Sequence, residues 1–188
     1  PDFVDRAMYV CGAMKKLPIR CKSAPGFLVN RALLPYLFKA IDVMLDGADP
    51  DMLDEALVRF GMPMGPIELC DQVGLDVCLG AGQVIGMSDR VEQTLTEMIE
   101  AGTLGRKSGS GFYDWDGKKA VRARAAHDGV DLDAVAADLL APLVAECRDA
   151  VAEGVVDSAD MADAACIFGV GFPAFRGGPL FWTESRTV

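Results

Sequence analysis

Residues 25–31 read PGFLVNR and open the most apolar helix that the sequence predicts. Between residues 28 and 45 almost every side chain is apolar, and the polar exceptions recur near the 3.6-residue period of a helix. These exceptions are Arg31, Lys39, Asp42 and Asp46. Because so thin a polar stripe indicates burial on most sides, we predict a helical domain organised around this helix, with a bend at Pro35.

Asn30 is the one amide in the apolar start of that helix. It shares a helical row with Leu34, Leu37 and Ile41, so it heads an apolar face. Asparagine is also a common helix cap. The spacing alone therefore leaves two interpretations open for Asn30, a helix cap or an amide that faces a ligand.

Periodicity, caps and terminating glycines also predict the elements on either side of this helix. Further helices are expected over 3–14, 51–60, 66–80 or 66–87, 88–101, 131–153 and 158–168. Alternation over 17–22 predicts a short strand, and 112–115 a short extended stop. Residues 116–129 are polar and predict a flexible linker, in which His127 is expected to be solvated and non-catalytic.

Composition excludes several classes of function. The formal net charge is −10, which argues against a nucleic-acid surface. No CxxC pair occurs among the six cysteines and the single histidine is far from all of them, so we predict no metal site and buried thiols in a reducing compartment. The sequence shows neither a signal peptide nor a membrane-spanning run, and we expect a cytoplasmic protein.

Two sequence features resemble catalytic or phosphate-binding motifs but fit other roles better. Glu68 and Asp71 resemble a carboxylate pair, but both lie early in a predicted helix, where negative charge is favoured by the helix dipole. The glycine-rich loop at 102–111 matches neither phosphate-binding spacing, GxxxxGK[ST] or GxGxxG. Its cations Arg106 and Lys107 are still able to meet an anionic ligand.

The chain contains an internal repeat of helix, glycine stop, capped short helix and proline-containing elbow. Gly47 and Gly154 lie 107 positions apart, and Phe60-Gly61 and Phe168-Gly169 lie 108 apart. Gly65-Pro66 and Gly178-Pro179 lie 113 apart. Because the shifts are nearly constant, we predict two tandem helical units that bury their apolar faces against each other, the second unit being shorter.

Three motifs in order carry a family resemblance: PGFLVNR, FGMPMGPIELCDQVGLD at 60–76 and GRKSGSGFYDW at 105–115. Together they resemble the C-terminal helical part of the L-3-hydroxyacyl-CoA dehydrogenase family. The second repeat, with IFGVGFPAFRGGPLFW at 167–182, is similar to the extra repeat of multifunctional fatty-acid oxidation enzymes.

The resemblance implies a mostly α fold of two tandem units, like the C-terminal part of 6-phosphogluconate dehydrogenase. We expect residues 1–24 to be an αβ remnant of a missing NAD-binding Rossmann domain, and 25–116 the first helical unit. Residues 117–129 are then the linker, and 130–188 the second unit. The chain begins in mid-pattern without a methionine, so we expect it to be an excised piece.

For function, the resemblance implies oxidation of 3-hydroxyacyl-CoA to 3-ketoacyl-CoA with NAD in the full-length enzyme. The family's His–Glu pair lies in the Rossmann domain and has no counterpart here, so the piece alone is expected to be inactive. The family's active-site Asn falls on Asn30, which favours the ligand-facing interpretation. Its NAD-contacting Lys falls on Lys107, and a substrate-linked aromatic, usually Tyr, falls on Trp182, which lacks the phenol hydroxyl.

The implied partners are an acyl-CoA substrate, Rossmann and enoyl-CoA hydratase domains in the same parent chain, and a thiolase subunit. With its repeat paired internally, the piece is expected to be monomeric. Two other interpretations stay open: a non-enzymatic helical dimerisation or assembly module, and the helical half of another NAD-dependent hydroxy-acid dehydrogenase.

Overall fold

The computed structural model of the protein describes residues 2–123 and 127–185 and is mostly helical. Its α-helices are α1 (Asp2–Ala13), α2 (Val29–Leu45), α3 (Pro50–Phe60), α4 (Pro66–Val73), α5 (Leu75–Ile85), α6 (Asp89–Glu100), α7 (Leu132–Ala152), α8 (Ala159–Ala165) and α9 (Pro179–Glu184). A hairpin of β1 (Asp114–Asp116) and β2 (Lys119–Val121) precedes α7. Short 3₁₀ turns cover Arg106–Ser108 and Ala174–Arg176, and Cys166–Val170 is π-helical.

Helix α2 lies at the centre of the core, as its sequence predicted. Its Tyr36, Leu37 and Ile41 are fully buried, and the helix packs along α7, which also contacts α3. Part of the stripe predicted to face solvent is paired instead. Lys39 lies 3.3 Å from Asp138 of α7, and Arg31 binds two other α7 carboxylates.

Side-chain caps define the starts of four helices. Asp49, Ser88, Asp131 and Ser158 each accept a hydrogen bond from a backbone N–H in the first turn of α3, α6, α7 and α8, respectively. These bonds satisfy amides that have no partner inside the helix. A short polar side chain before an apolar run therefore predicted the starts of these four helices correctly.

Two predicted elements differ from the structure. Residues 17–22 are not a strand: Lys22 N–H donates to Val155 O at 2.8 Å, and no described strand lies beside this segment to form a ladder. The single helix predicted from Pro66 is two helices. Gly74, at φ +102° and ψ +130°, has a conformation that an α-helix cannot include, so α4 ends and α5 begins there.

The boundaries of two other predicted segments also differ from the structure. Within the stretch predicted as linker, residues 119–121 form β2, with Ala120 opposite the buried Trp115. The helix predicted to end at Phe168-Gly169 continues as the π-helical segment to Val170 and closes at Gly171, with φ +84°. Phe168 lies within this segment and is 65% exposed.

A buried aspartate in each half of the chain binds the start of a later helix. Asp54 of α3 accepts hydrogen bonds from Ile67 N at 2.8 Å and Glu68 N at 3.1 Å, at the start of α4. Asp163 of α8 accepts from Leu180 N at 2.7 Å and Phe181 N at 3.0 Å, at the start of α9. Each receiving helix begins with Gly-Pro.

Helix α1 was predicted correctly but buries none of its residues. Phe3 and Tyr9 are 84% and 79% exposed. All six cysteines are free thiols. Cys70, Cys78, Cys147 and Cys166 are buried, as predicted, but Cys11 and Cys21 are partly exposed.

Candidate functional site

A groove of about 340 Å³ lies where the segment before α2 meets the π-helical segment. One side consists of residues 26–30 together with Leu17, Ile19 and Cys21. The other side consists of Ala165, Phe168 and Gly169. The lining is apolar apart from the Asn30 amide and the Cys21 thiol, so the groove suits an apolar ligand that carries a polar group.

Asn30 is not the cap of α2. The helix begins at Val29, and the cap position is Leu28, which makes no side-chain cap hydrogen bond. The Asn30 side chain is exposed, lines the groove and has no hydrogen-bond partner within residues 2–123 and 127–185. Of the two interpretations open from sequence, the structure therefore favours an amide available to a ligand.

The turn before α2 explains the residues of the PGF motif. Gly26 has φ +71°, and a Cβ there would lie 2.8 Å from Arg31 N. Phe27 has φ +52°, which is rare for a bulky side chain, and its ring is 59% exposed. This strained turn places Phe27 and Asn30 in the same groove.

Arg31 fixes the start of α2 to α7. Its guanidinium Nε donates to Glu146 at 2.8 Å, and its Nη1 donates to Glu153 at 2.6 Å. The bonds to Glu153 and Glu146 raise the pKa of Arg31 above its ordinary value. Because Asn30 immediately precedes Arg31, this ion-pair network also holds the amide in place.

The other two residues predicted from the resemblance lie outside the groove. Lys107 pairs with Asp76 at the first turn of α5, and its hydrogen bond lowers the pKa of the Asp76 carboxyl. Trp182 is only 7% exposed and packs edge-on against Phe60, with ring centroids 5.0 Å apart. The structure thus brings neither Lys107 nor Trp182 to Asn30, and their ligand contacts stay predictions.

A buried polar cluster around Asp54 went unnoticed in the sequence. Besides the two backbone amides of α4, Asp54 accepts hydrogen bonds from Tyr113 Oη at 2.9 Å and Arg122 Nη2 at 3.0 Å. Burial raises the pKa of Asp54 to about 6, so the group is ionised at neutral pH. The sequence feature that could have predicted this cluster is Asp54 itself, an aspartate on an apolar helix face five residues after the cap Asp49.

Glu68 and Asp71 are occupied by structural contacts. Asp71 accepts hydrogen bonds from Phe112 N, Tyr113 N and Trp115 Nε1, each at 2.9 Å, and so holds the loop after α6 against α4. Burial raises the pKa of Asp71. Glu68 accepts from Arg122. These contacts agree with the non-catalytic interpretation.

His127 lies in a drier place than predicted. Its side chain is 9% exposed, and Nε2 is 3.9 Å from Glu55 Oε2. Within the described residues, no cluster of three or more His, Cys, Asp or Glu side chains is placed to hold a metal ion. None of the described helices is long and apolar enough to span a bilayer.

Comparisons with known proteins agree on one family. Residues 26–115 match the family model described as 3-hydroxyacyl-CoA dehydrogenase, C-terminal domain. The fatty acid oxidation complex subunit alpha of Acinetobacter baylyi is 37% identical over 204 residues, which cover 93% of this chain and 28% of that protein. The chain therefore spans little more than a quarter of the length of this relative.

Solved structures show the same architecture. A 3-hydroxybutyryl-CoA dehydrogenase from Escherichia coli aligns over 98% of this chain and 58% of its own, with a TM-score of 0.77; at 23% identity, this likeness concerns the fold alone. The dehydrogenase part of multifunctional enzyme 1 from Caenorhabditis elegans aligns over 90% of this chain and 42% of its own, with 25% identity and a TM-score of 0.63.

Proposed function

Because residues 26–115 of this chain belong to the C-terminal domain family of 3-hydroxyacyl-CoA dehydrogenases, we propose that the chain is the substrate-side helical region of such an enzyme. The reaction is oxidation of a 3-hydroxyacyl-CoA to the 3-ketoacyl-CoA. The observation that carries the proposal is the exposed Asn30 amide in an apolar groove. In this role, Asn30 binds the substrate near the reacting oxygen.

The redox cofactor of the proposed reaction is NAD, which accepts the hydride. Among the described residues, the half-exposed cation Lys107 is the contact to NAD that the family resemblance implies. A dinucleotide site needs a phosphate-binding glycine turn between a strand and a helix, which these residues do not form. We therefore assign NAD binding and the proton-abstracting base to a Rossmann domain of the parent protein, with Lys107 at the edge of that site.

The paired aspartates support the proposal of two tandem units. Asp54 and Asp163 each stand five residues after a helix cap, Asp49 and Ser158, and each binds the first amides of a Gly-Pro helix. A duplicated unit would retain this arrangement, an aspartate that binds the first amides of a later helix, in both copies. We also propose that residues 1–24 are the αβ remnant of the parent protein's Rossmann domain; in this structure α1 supplies its helix, and residues 17–22 form no strand.

The proposed partners follow from the family resemblance and from the name of one relative. A protein named as the alpha subunit of a fatty acid oxidation complex is one component of an assembly. We propose the same setting here, with an enoyl-CoA hydratase domain in the parent chain and a thiolase as the partner subunit. A cytoplasmic location remains part of this proposal.

The test of the proposed function is binding of acetoacetyl-CoA, the ketone product of the shortest substrate, to the 188-residue chain. Replacing Asn30 with alanine removes one hydrogen bond to the ligand, so we expect affinity to fall about three- to tenfold. Isothermal titration calorimetry measures the change, and circular dichroism verifies that the variant is folded.

Gln93→Ala is the matched control, because Gln93 is an exposed amide on α6 that bonds only to Glu97 among described groups. It should bind acetoacetyl-CoA like the parent chain. If Asn30→Ala binds as tightly as the parent, the assignment of Asn30 to the substrate is wrong. An assembly module would show no Asn30-dependent binding at all.

A further inference from the structure

The second half of the chain supplies one wall of the groove. Phe168 and Gly169 belong to the π-helical segment and face the start of α2, where Asn30 lies. The approach is close: a Cβ at Gly169 would lie 2.7 Å from Val29 Cγ2. The glycine leaves room for the Val29 side chain, and the neighbouring Phe168 is 65% exposed.

A one-residue insertion lies within this wall. Asp54 and the closing Gly61 of the first half lie seven positions apart, whereas Asp163 and the closing Gly171 lie eight apart. The chain takes up the extra residue as the π-helix Cys166–Val170. Such π-helical insertions are frequent at functional sites. With Asp163 aligned to Asp54, Phe168 corresponds to the exposed Arg59, so the second unit carries an aromatic ring where the first carries a cation.

We propose that this groove holds the acyl chain of the CoA thioester and that Phe168 determines the preference for longer chains. The inference rests on the proposed function and names the part of the substrate bound here. Two exposed aromatic rings, Phe27 and Phe168, face an apolar lining in which Asn30 is the one amide. An aliphatic chain with an oxygen-bearing end matches that pattern.

The expected effect scales with chain length. Each methylene buried in the groove contributes about fourfold in affinity, the equivalent of about 0.8 kcal/mol. A chain long enough to fill the groove therefore binds more tightly than a short one. Removing the Phe168 ring exposes the distal methylenes to water and should weaken only the longer ligand.

The experiment compares butyryl-CoA and decanoyl-CoA, two saturated thioesters that differ only in chain length, by calorimetric titration of the 188-residue chain. We expect decanoyl-CoA to bind at least about tenfold more tightly than butyryl-CoA. In Phe168→Ala this ratio should fall about threefold or more, with butyryl-CoA affinity unchanged. Phe175→Ala is the matched control, because Phe175 is 77% exposed and lies outside the groove.

Three results would overturn the inference: no binding of decanoyl-CoA, an unchanged ratio in Phe168→Ala, or an equal loss in Phe175→Ala. The Asn30→Ala titration with acetoacetyl-CoA separates this outcome from failure of the proposed function. If Asn30→Ala leaves acetoacetyl-CoA affinity unchanged while Phe168→Ala lowers the ratio of decanoyl-CoA to butyryl-CoA affinity, the groove binds acyl chains but the protein has a different activity. The reverse pattern would keep the dehydrogenase assignment and discard the role of Phe168.

Discussion

Replacing Gly65 with alanine is expected to lower the free energy of unfolding by at least about 3 kcal/mol. A Cβ at this position would lie 2.2 Å from Asp54 Cγ and 2.3 Å from Asp54 Cα, so helix α3 or the start of α4 must move. Movement of either helix breaks the hydrogen bonds from Ile67 and Glu68 to Asp54. Gly65 has φ −78°, so the cost arises from contact and not from backbone strain.

Gly80→Ala is the control for Gly65→Ala. Gly80 lies inside α5, is exposed, and a Cβ there meets no atom within 4 Å. Alanine in that helix interior should raise stability by up to about 1 kcal/mol. Urea unfolding followed by circular dichroism measures both changes. Equal unfolding midpoints for the two variants would mean that Asp54 and Gly65 are not packed as described.

The second large effect is expected for Asp54→Ala, at about 3–5 kcal/mol of lost stability at neutral pH. The substitution leaves two backbone amides of α4 and the Tyr113 hydroxyl without their acceptor, and it removes a buried partner of Arg122. Unsatisfied buried donors are costly because water cannot reach them. Asp54 is fully buried, so solvent does not compensate.

The comparison for Asp54→Ala uses the same substitution at two other positions. Asp133→Ala removes an exposed carboxylate from the first turn of α7 and should cost no more than about 0.5 kcal/mol. Asp163→Ala removes the acceptor of Leu180 N and Phe181 N, fewer groups than depend on Asp54, and should fall between the two. If all three unfold at the same urea concentration, the buried cluster does not stabilise the fold.

These predictions concern the scaffold, and the scaffold matters to function because it sets the position of α2. Helix α2 packs on α7, and Arg31 ties its first turn to Glu146 and Glu153. Asn30 therefore lies at a helix end that ion pairs fix to the second half of the chain. Such rigid support is what a substrate-orienting amide requires.

The location of Asn30 shows the limit of local sequence rules. Propensity alone favoured a helix cap, because asparagine often takes that role. In the structure, the left-handed turn at Gly26 and Phe27 starts the helix one residue before Asn30, so the amide has no cap to form. Only the resemblance of PGFLVNR to a known motif pointed to the ligand-facing role.

The sequence by itself determined most of the helices and their caps, four buried cysteines and the central place of α2, because hydrophobic period and capping chemistry are local properties. It also carried the family, through three motifs in order. Only the tertiary structure decided the Asp54 cluster, the pairing of Arg31 with α7 and the groove shared by Asn30 and Phe168. These features join residues more than 10 positions apart, and their energies come from burial and hydrogen bonds that no local pattern encodes.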